Sequence, residues 1–188
     1  AKNRGDRVGG IVFNENKHLE LKPRSRQQGV LHYLHALCQI HQNPCLTVDK
    51  EAALNAFEQN CGRIRQVSKP GSLVYLITDA YQLEQNCIRH LALISQHCEL
   101  VVCLVSDPLE HQLPKNIKPT TVAVTDGVSQ TNITLGDKKS AQQYQQHSNE
   151  LSEHKIQLLA KAGARVLNIS SASSLEQQIK DGANQWIR

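Results

Sequence analysis

Two uninterrupted apolar stretches stand out in the pattern of hydrophobic and polar positions along the chain. Ser72–Asp79 contains consecutive apolar residues and then stops at a threonine and an aspartate. Glu99–Ser106 is similarly apolar and ends at an Asp-Pro pair. An apolar run without alternation is typical of a strand that is buried on both faces, as in a parallel sheet. We therefore predict a parallel sheet with Ser72–Asp79 as its central strand.

Helical periodicity lies between and around these strands. The segment Leu83–His97 separates them, and a strand–helix–strand order predicts a crossover connection between parallel strands. A second helix is predicted to start at Thr47 or Asp49 and to end near Asn60, because Gly62 follows. The remaining predicted helices are Gln27–His41, Lys138–Ala162 and Leu175–Ile187. The polar first half of Lys138–Ala162 is expected to project past the body of the domain. Trp186, near the end of the last helix, is expected to pack on the core.

The helix predicted at Gln27–His41 carries many apolar side chains. They recur at the spacing of one helix face, which predicts that this face packs on the core. The face consists of Val30, Leu31, Leu34, Leu37, Cys38 and Ile40.

Alternating segments predict two hairpins. Val8–Phe13 and Lys17–Lys22 flank an Asn-Glu-Asn turn, with a basic loop at Pro23–Arg26 after them. Thr120–Thr125 and Val128–Leu135 flank an Asp-Gly turn, and Arg165–Ser170 is predicted as a last strand. The predicted fold is one α/β domain over residues 1–188, a doubly wound, mostly parallel and Rossmann-like sheet with an antiparallel edge hairpin.

Composition narrows the function classes. The 188 residues carry a net charge of +4, and the basic residues are scattered, which argues against nucleic-acid binding. The chain contains no run of about 18 apolar residues, so no membrane span is predicted. The six cysteines contain no C-x-x-C pair and are expected to be reduced in a cytoplasmic protein. His32 and His35 are spaced to share a helix face, but a zinc site needs further ligands that the neighbouring sequence lacks.

Several motifs follow one another in an order that resembles a known family. They are Gly5–Phe13, Leu19–Arg24, a Gly-Val-Leu helix start at Gly29, Leu76–Asp79 and Val105–Pro114. This series resembles the bacterial family of uncharacterised von Willebrand factor A-like proteins, often encoded beside MoxR-type AAA+ ATPases. The resemblance covers nearly all of the chain and implies a von Willebrand A-type fold, in agreement with the predicted sheet.

The resemblance also implies a metal ion-dependent adhesion site at the carboxyl end of the sheet. In the wider superfamily this site uses an Asp-x-Ser-x-Ser motif, a loop threonine and a later aspartate, which suit Mg²⁺. Asp79 matches the last acidic position, and Ser25 lies near the position of the loop threonine. The chain has no Asp-x-Ser-x-Ser, so Mg²⁺ is expected only in an intact protein that extends upstream.

Relatives carry the Asp-x-Ser-x-Ser strand before Gly-Asp-Arg-Val-Gly, whereas this sequence starts at Ala1. We therefore expect a fragment without its first strand. The resemblance also allows a membrane anchor upstream in the intact protein, because relatives often have apolar segments there. Loss of an inner strand leaves unpaired edges. We expect the fragment to form a homodimer through these edges, to swap an element, or to close the gap by shifting the hairpin.

The favoured function is a protein-binding module that works with a MoxR-type AAA+ ATPase in the assembly of other proteins. Its contact surface is predicted to include Asp79 together with Arg24, Arg26, Thr78 and Asp107. A metal-free scaffold that uses the Lys138–Ala162 helix is the second hypothesis, and a hydrolase that uses Asp79 is the third. Asp79 also suits a purely local role as the cap of the following helix or turn, and the Ser-Asp-Pro sequence at Asp107 is typical of a turn.

Overall fold

The computed structural model describes residues 6–42, 50–114, 118, 120–125 and 130–182. The chain forms two compact units, Ala1–Val67 and Ser68–Arg188. The interpretation of residues 1–188 as a single domain stays a prediction. Among the described residues, no helix is both long and apolar enough to cross a lipid bilayer.

The first unit begins with the predicted antiparallel hairpin, which is confirmed. Strand β1 is Arg7–Phe13 and strand β2 is His18–Ser25, with Phe13 opposite His18. The turn between them is closed by Asn14, whose Oδ1 accepts hydrogen bonds from the backbone N–H groups of Asn16 and Lys17 at 3.1 and 2.9 Å. An asparagine that bonds the following backbone is the usual reason for its frequency in turns.

The predicted basic loop after this hairpin is wrong, because β2 continues through Pro23 to Ser25. The register shifts between Val8 and Gly10, which leaves Gly9 in an irregular position opposite the proline. A Cβ at Gly9 would lie 2.7 Å from the carbonyl oxygen of Leu21. A two-stranded ladder tolerates proline because its outer edge needs no N–H donor.

Helix α1, Arg26–His41, packs on the hairpin with a different face from the predicted one. Its buried positions are small, and Ala36 clusters with Val12 and Leu21 while Tyr33 packs against them. The predicted apolar face is largely exposed, so the prediction that this face packs on the core is wrong. Exposed fractions on that face are Val30 37%, Leu31 55%, Leu34 50% and Leu37 41%.

Helix α2, Lys50–Val67, continues seven residues beyond the predicted end at Asn60. Gly62 therefore lies inside the helix, and the prediction that it terminates the helix is wrong. The predicted caps Thr47 and Asp49 lie outside the described residues. The buried face includes Phe57, whose ring centroid lies 6.1 Å from that of Phe13.

The second unit contains the remaining elements. In chain order they are β3 Leu73–Thr78, α3 Gln85–Ser95, β4 Glu99–Ser106, α4 Pro108–His111, β5 Thr120–Thr125, β6 Gln130–Leu135, α5 Lys138–Lys161, β7 Arg165–Ser170 and α6 Leu175–Gly182.

The predicted parallel sheet is confirmed in this unit. It has three strands in the order β3-β4-β7, and both pairs are parallel. The buried strand is β4, in which Leu100, Val101 and Val102 are at most 2% exposed. The prediction that β3 is the central strand and is buried on both faces is wrong, because β4 lies in the middle of these three strands. Among the described residues β3 pairs only with β4, and three of its side chains are exposed: Leu73 51%, Tyr75 56% and Ile77 66%.

Helices α3 and α5 cover the sheet with apolar residues, among them Leu91, Ile94 and Leu159. Helix α5 ends as predicted, because Gly163 adopts a φ of +77° that stops the helix. The predicted projection of its first half is wrong. Tyr144 donates a hydrogen bond to the carbonyl of Leu109 at 2.9 Å, and this bond attaches α5 to α4.

The second predicted hairpin is also confirmed, with β5 and β6 antiparallel. Its Asp126-Gly127 turn lies outside the described residues. So does Trp186, and α6 is described only as far as Gly182.

Candidate functional site at the carboxyl edge of the parallel sheet

All three strands of the parallel sheet end in polar residues. Parallel strands point in one direction, so their last residues meet at one edge, where open α/β sheets usually bind ligands. We call this edge the carboxyl edge. It consists of the last residue of each strand and the residue that follows it: Thr78-Asp79 for β3, Ser106-Asp107 for β4 and Ser170-Ser171 for β7.

At the end of β3 the chain makes a tight turn. The hydroxyl of Thr78 accepts a hydrogen bond from the N–H of Ala80 at 2.9 Å, and Oδ1 of Asp79 accepts one from the N–H of Tyr81 at 3.0 Å. Ala80 is 1% exposed and adopts a φ of 54°, a left-handed conformation that costs an alanine about 1 kcal/mol or more. The two side-chain bonds hold this turn, which leaves Asp79 exposed at the edge.

At the end of β4, Asp107 caps the short helix α4. Its Oδ1 accepts a hydrogen bond from the N–H of Leu109 at 2.9 Å, and its own N–H donates to Oε1 of Glu110 at 3.2 Å. This reciprocal pair is a capping box, and Pro108 occupies the first helical turn. The Ser-Asp-Pro sequence therefore starts a helix.

The end of β7 is joined to the end of β4. The hydroxyl of Ser171 donates to Oδ2 of Asp107 at 2.7 Å, and the N–H of Ser171 donates to the carbonyl of Ser106 at 3.0 Å. Together with the Leu109 N–H, the Ser171 hydroxyl lowers the pKa of Asp107, because both donors stabilise the charged form. Asp107 is therefore an anion at neutral pH, with both oxygens engaged.

Lys155 brings a positive charge to the same edge from α5. Its ammonium donates a hydrogen bond to the backbone carbonyl of Asp79 at 3.1 Å. Asp79 therefore lies beside a cation that approaches its main chain rather than its carboxylate.

The two aspartates differ in what they can offer a partner. Asp107 is occupied on both carboxylate oxygens. Among the described residues, the carboxylate of Asp79 accepts one hydrogen bond, from the Tyr81 N–H to Oδ1, and the residue is exposed. Asp79 is thus the aspartate at this edge with a carboxylate oxygen, Oδ2, to which no described group donates.

The carboxyl edge does not fit a Mg²⁺ site. Mg²⁺ requires near-octahedral oxygen ligands, which usually include carboxylates that converge on one point. The hydroxyl of Thr78 and one oxygen of Asp79 already accept backbone hydrogen bonds. In the described part of the chain, no group of three His, Cys, Asp or Glu side chains could hold a metal ion.

The other predicted site residues lie in the first unit. Arg24 and Ser25 are the last residues of β2, opposite Val8 and Arg7, and Arg26 begins α1. The grouping of these residues with Thr78, Asp79 and Asp107 in one contact surface, and the pairing of Ser25 with Asp79 at a metal, stay predictions.

Four residues at the carboxyl edge were absent from the predicted site: Ser106, Ser170, Ser171 and Lys155. Ser171 directly follows a predicted strand, as Asp79 does, so the strand-end rule could have identified it. Lys155 lies within a long polar helix whose sequence gives no signal for the position of its ammonium.

Comparison with known proteins places this chain in a family. The sequence profile described as "Protein of unknown function DUF58" matches residues 1–155. No curated protein matches the chain.

Two solved structures are similar to it. The first is the conserved hypothetical protein BatB from Bacteroides thetaiotaomicron. It is 15% identical with a TM-score of 0.46, and the match covers 96% of this chain and 80% of that one. The second is an aerotolerance-related membrane protein from Bacteroides fragilis NCTC 9343 with multiple mutations to serines. It is 12% identical with a TM-score of 0.39, and the match covers 95% and 79% of the two chains. Since the family profile spans well over half of its length, this chain belongs to the DUF58 family of proteins of unknown function.

Proposed function

We propose that this chain is a protein-binding module of von Willebrand A type that contacts its partner through the carboxyl edge of the parallel sheet. The observation that carries the proposal is the open Oδ2 of Asp79, on an exposed residue beside the ends of the neighbouring strands. The candidate partner is a MoxR-type AAA+ ATPase, which the family resemblance suggests, with assembly of other proteins as the joint task.

The chemistry of the edge suggests how the partner is recognised. A carboxylate with one open oxygen is best matched by a guanidinium or ammonium group, because a charge-assisted hydrogen bond is stronger than a neutral one. Lys155 beside Asp79 supplies the opposite charge, so a partner surface with both signs fits best. Since the described residues do not fit Mg²⁺, the proposed contact needs no metal ion.

A hydrolase that uses Asp79 is less well supported. Nucleophilic or acid–base catalysis needs a second group within hydrogen-bond reach of the first. The Asp79 carboxylate accepts a hydrogen bond from the backbone N–H of Tyr81. That contact stabilises a turn and provides no proton relay.

The test is a binding measurement with a purified MoxR-type AAA+ ATPase. The 188-residue chain is immobilised, and the ATPase is titrated by biolayer interferometry in buffer with Mg²⁺ and ATP, and then with EDTA and no nucleotide. We expect binding to persist with EDTA, and Asp79→Asn to weaken it roughly tenfold because the charge is lost. Asp79→Asn keeps an oxygen that can accept from Tyr81, so the turn is preserved.

The matched control is Glu153→Gln, which removes an exposed carboxylate from α5 and should leave affinity unchanged. Equal binding by Asp79→Asn and the unsubstituted chain would remove the carboxyl edge from the proposal. Loss of binding in Leu151→Lys would instead favour the scaffold hypothesis, because Leu151 is 51% exposed on α5. Loss of binding in the buffer with EDTA and no nucleotide would mean that the contact requires a divalent ion at this edge or an ATPase with bound nucleotide.

A further inference from the structure

The turn that follows β3 contains a strained backbone residue. Among the described residues, Ala80 is the one residue other than glycine with a positive φ, and its side chain is buried. A residue in this left-handed conformation persists only where its surroundings hold it, and such residues cluster at binding and catalytic sites. Ala80 directly follows Asp79, so the conformation of this turn decides how the Asp79 carboxylate is presented.

Two of the hydrogen bonds that hold this turn come from within it. The hydroxyl of Thr78 accepts from the N–H of Ala80, and the carboxylate of Asp79 accepts from the N–H of Tyr81. Donor and acceptor in each bond belong to the same short segment, so these bonds do not tie the turn to the rest of the fold. A third bond comes from outside the turn, because the ammonium of Lys155 donates to the backbone carbonyl of Asp79 at 3.1 Å.

Lys155 directs its charge at a backbone group. Lysine side chains usually extend into water or pair with a carboxylate. Lys155 is half-buried, and no carboxylate in the described part of the chain pairs with it. A charged donor makes a stronger hydrogen bond than a neutral one. The carbonyl of Asp79 therefore receives a strong hydrogen bond at the point where the strained turn begins.

Helix α5 fixes the position of Lys155 through attachments on both sides of it. Towards the start of the helix, Tyr144 and Ser148 donate hydrogen bonds to backbone carbonyls of α4. At its end, the hydroxyl of Ser95 on α3 donates to the carbonyl of Ala162 at 2.6 Å. Lys155 lies midway between Ser148 and Ala162, about 10 Å along the helix axis from each. The ammonium is therefore held in place by the fold before any partner binds.

We propose that Lys155 is a positioning residue for Asp79. Its ammonium holds the left-handed turn at Ala80 and thereby presents the Asp79 carboxylate to the partner in one orientation. A preorganised group binds more tightly, because less conformational freedom is lost on binding. The effect on binding rests on the proposed function of the carboxyl edge, whereas the effect on the turn requires no partner.

The first experiment measures the turn without a partner. Amide hydrogen exchange is followed by NMR in the 188-residue chain and in Lys155→Met, which removes the ammonium and keeps an unbranched apolar side chain. We expect the amides of Ala80 and Tyr81 to exchange roughly tenfold faster in this variant. Lys155→Arg keeps a cationic donor and should restore most of the protection. Lys161→Met is the matched control, because Lys161 is an exposed lysine of the same helix.

The second experiment measures the affinity of the same variants for the MoxR-type AAA+ ATPase by biolayer interferometry. Lys155→Met should weaken binding roughly fivefold, because Asp79 is no longer preorganised. Lys155→Arg and Lys161→Met should bind nearly as tightly as the unsubstituted chain. In the Asp79→Asn background, Lys155→Met should have little further effect, because a positioning residue acts through the group that it positions.

Two results would overturn the inference. One is unchanged exchange of the Ala80 and Tyr81 amides in Lys155→Met, and a loss of affinity in that case would make Lys155 a direct contact of the partner. The other is full additivity of Lys155→Met and Asp79→Asn in the binding measurement. The proposed function fails by a different result, equal binding by Asp79→Asn and the unsubstituted chain. Exchange at the turn then decides alone whether Lys155 holds Asp79 in place.

Discussion

The hydroxyl of Ser171 donates a hydrogen bond to Oδ2 of Asp107 across 2.7 Å. This bond joins the ends of β7 and β4 and completes the set of contacts that also caps α4. The carboxyl edge is thereby held together by one aspartate, while the other aspartate, Asp79, keeps an open oxygen. The division of roles between two exposed carboxylates is the basis of the proposed function.

The cap on α4 leads to a prediction about pH. Hydrogen bonds lower the pKa of Asp107 below its ordinary value of 3.8 in the folded chain. Its stabilising contribution is therefore present above the unfolded pKa and is lost as pH falls through the lower, folded pKa. Asp107→Ala should lower the Tm at pH 7, and the difference from the unsubstituted chain should shrink below about pH 4.

Calorimetry across this pH range measures the effect. Asp107→Asn is the control, because it retains an acceptor for the Leu109 N–H but does not titrate. Its Tm deficit should be smaller at pH 7 and should also shrink as pH falls, because the titrating carboxylate belongs to the unsubstituted chain. A deficit of Asp107→Ala that stays constant from pH 7 to pH 3 would contradict the assignment of the lowered pKa to these bonds.

At the end of α5, replacing Gly163 by alanine is expected to lower the stability of the fold. Gly163 has a φ of +77°, and a Cβ there would lie 2.7 Å from Oγ of Ser95. Gly163→Ala should cost about 1–2 kcal/mol from the left-handed backbone alone, with a further cost from the contact. The measurement is the free energy of unfolding by urea.

Gly71 provides the matched comparison. Its φ is +80°, and a Cβ there would meet nothing within 4 Å. Gly71→Ala should therefore show the backbone cost without the contact. If the two substitutions destabilise the chain equally, Ser95 does not constrain the end of α5.

Because α1 packs closely on β2, replacing Gly29 by alanine is expected to destabilise the chain, which is opposite to the usual effect of this substitution in a helix. In an exposed helix, Gly→Ala stabilises by about 1 kcal/mol. Here a Cβ would collide with the carbonyl oxygen of Arg24, a backbone atom that cannot move away. Gly29→Ala should therefore destabilise the chain by about 2 kcal/mol, measured by urea unfolding.

Gln28→Ala is the control for that experiment, because Gln28 is exposed on the same helix. Its effect should lie within about 0.5 kcal/mol of zero. A stabilising Gly29→Ala would mean that α1 can move away from β2 at no cost.

The contact between α4 and α5 predicts the effect of removing one hydroxyl. Tyr144 donates to the carbonyl of Leu109, and Ser148 donates to the carbonyl of Glu110. Tyr144→Phe should cost about 0.5–1.5 kcal/mol and should speed hydrogen exchange in the first half of α5. Gln145→Ala, on the exposed side of the same helix, should leave exchange there unchanged. Unchanged exchange in Tyr144→Phe would mean that the hydroxyl does not hold the helix.

Elements with a strong local signal were predictable from the sequence. Strands β4 and β7 have the predicted bounds, and α5 ends before Gly163, because only glycine readily adopts the required backbone. The strand-end rule also placed Asp79 and Asp107 at one edge of the sheet. Their hydrogen bonds depend on Ser171 and on helix α4, and no local pattern gives that pairing.

The sequence by itself determined most of the strands and helices, apart from α4 and the end of β2, because those choices depend on neighbours along the chain. The tertiary structure decided which faces are buried. On α1 the small residues Gly29 and Ala36 face the hairpin, since a close approach of helix and strand excludes large side chains, and the leucines remain exposed. On β3 the apolar run predicted burial on both faces, but a face is buried only by a layer packed against it, and the face that carries Leu73, Tyr75 and Ile77 is exposed.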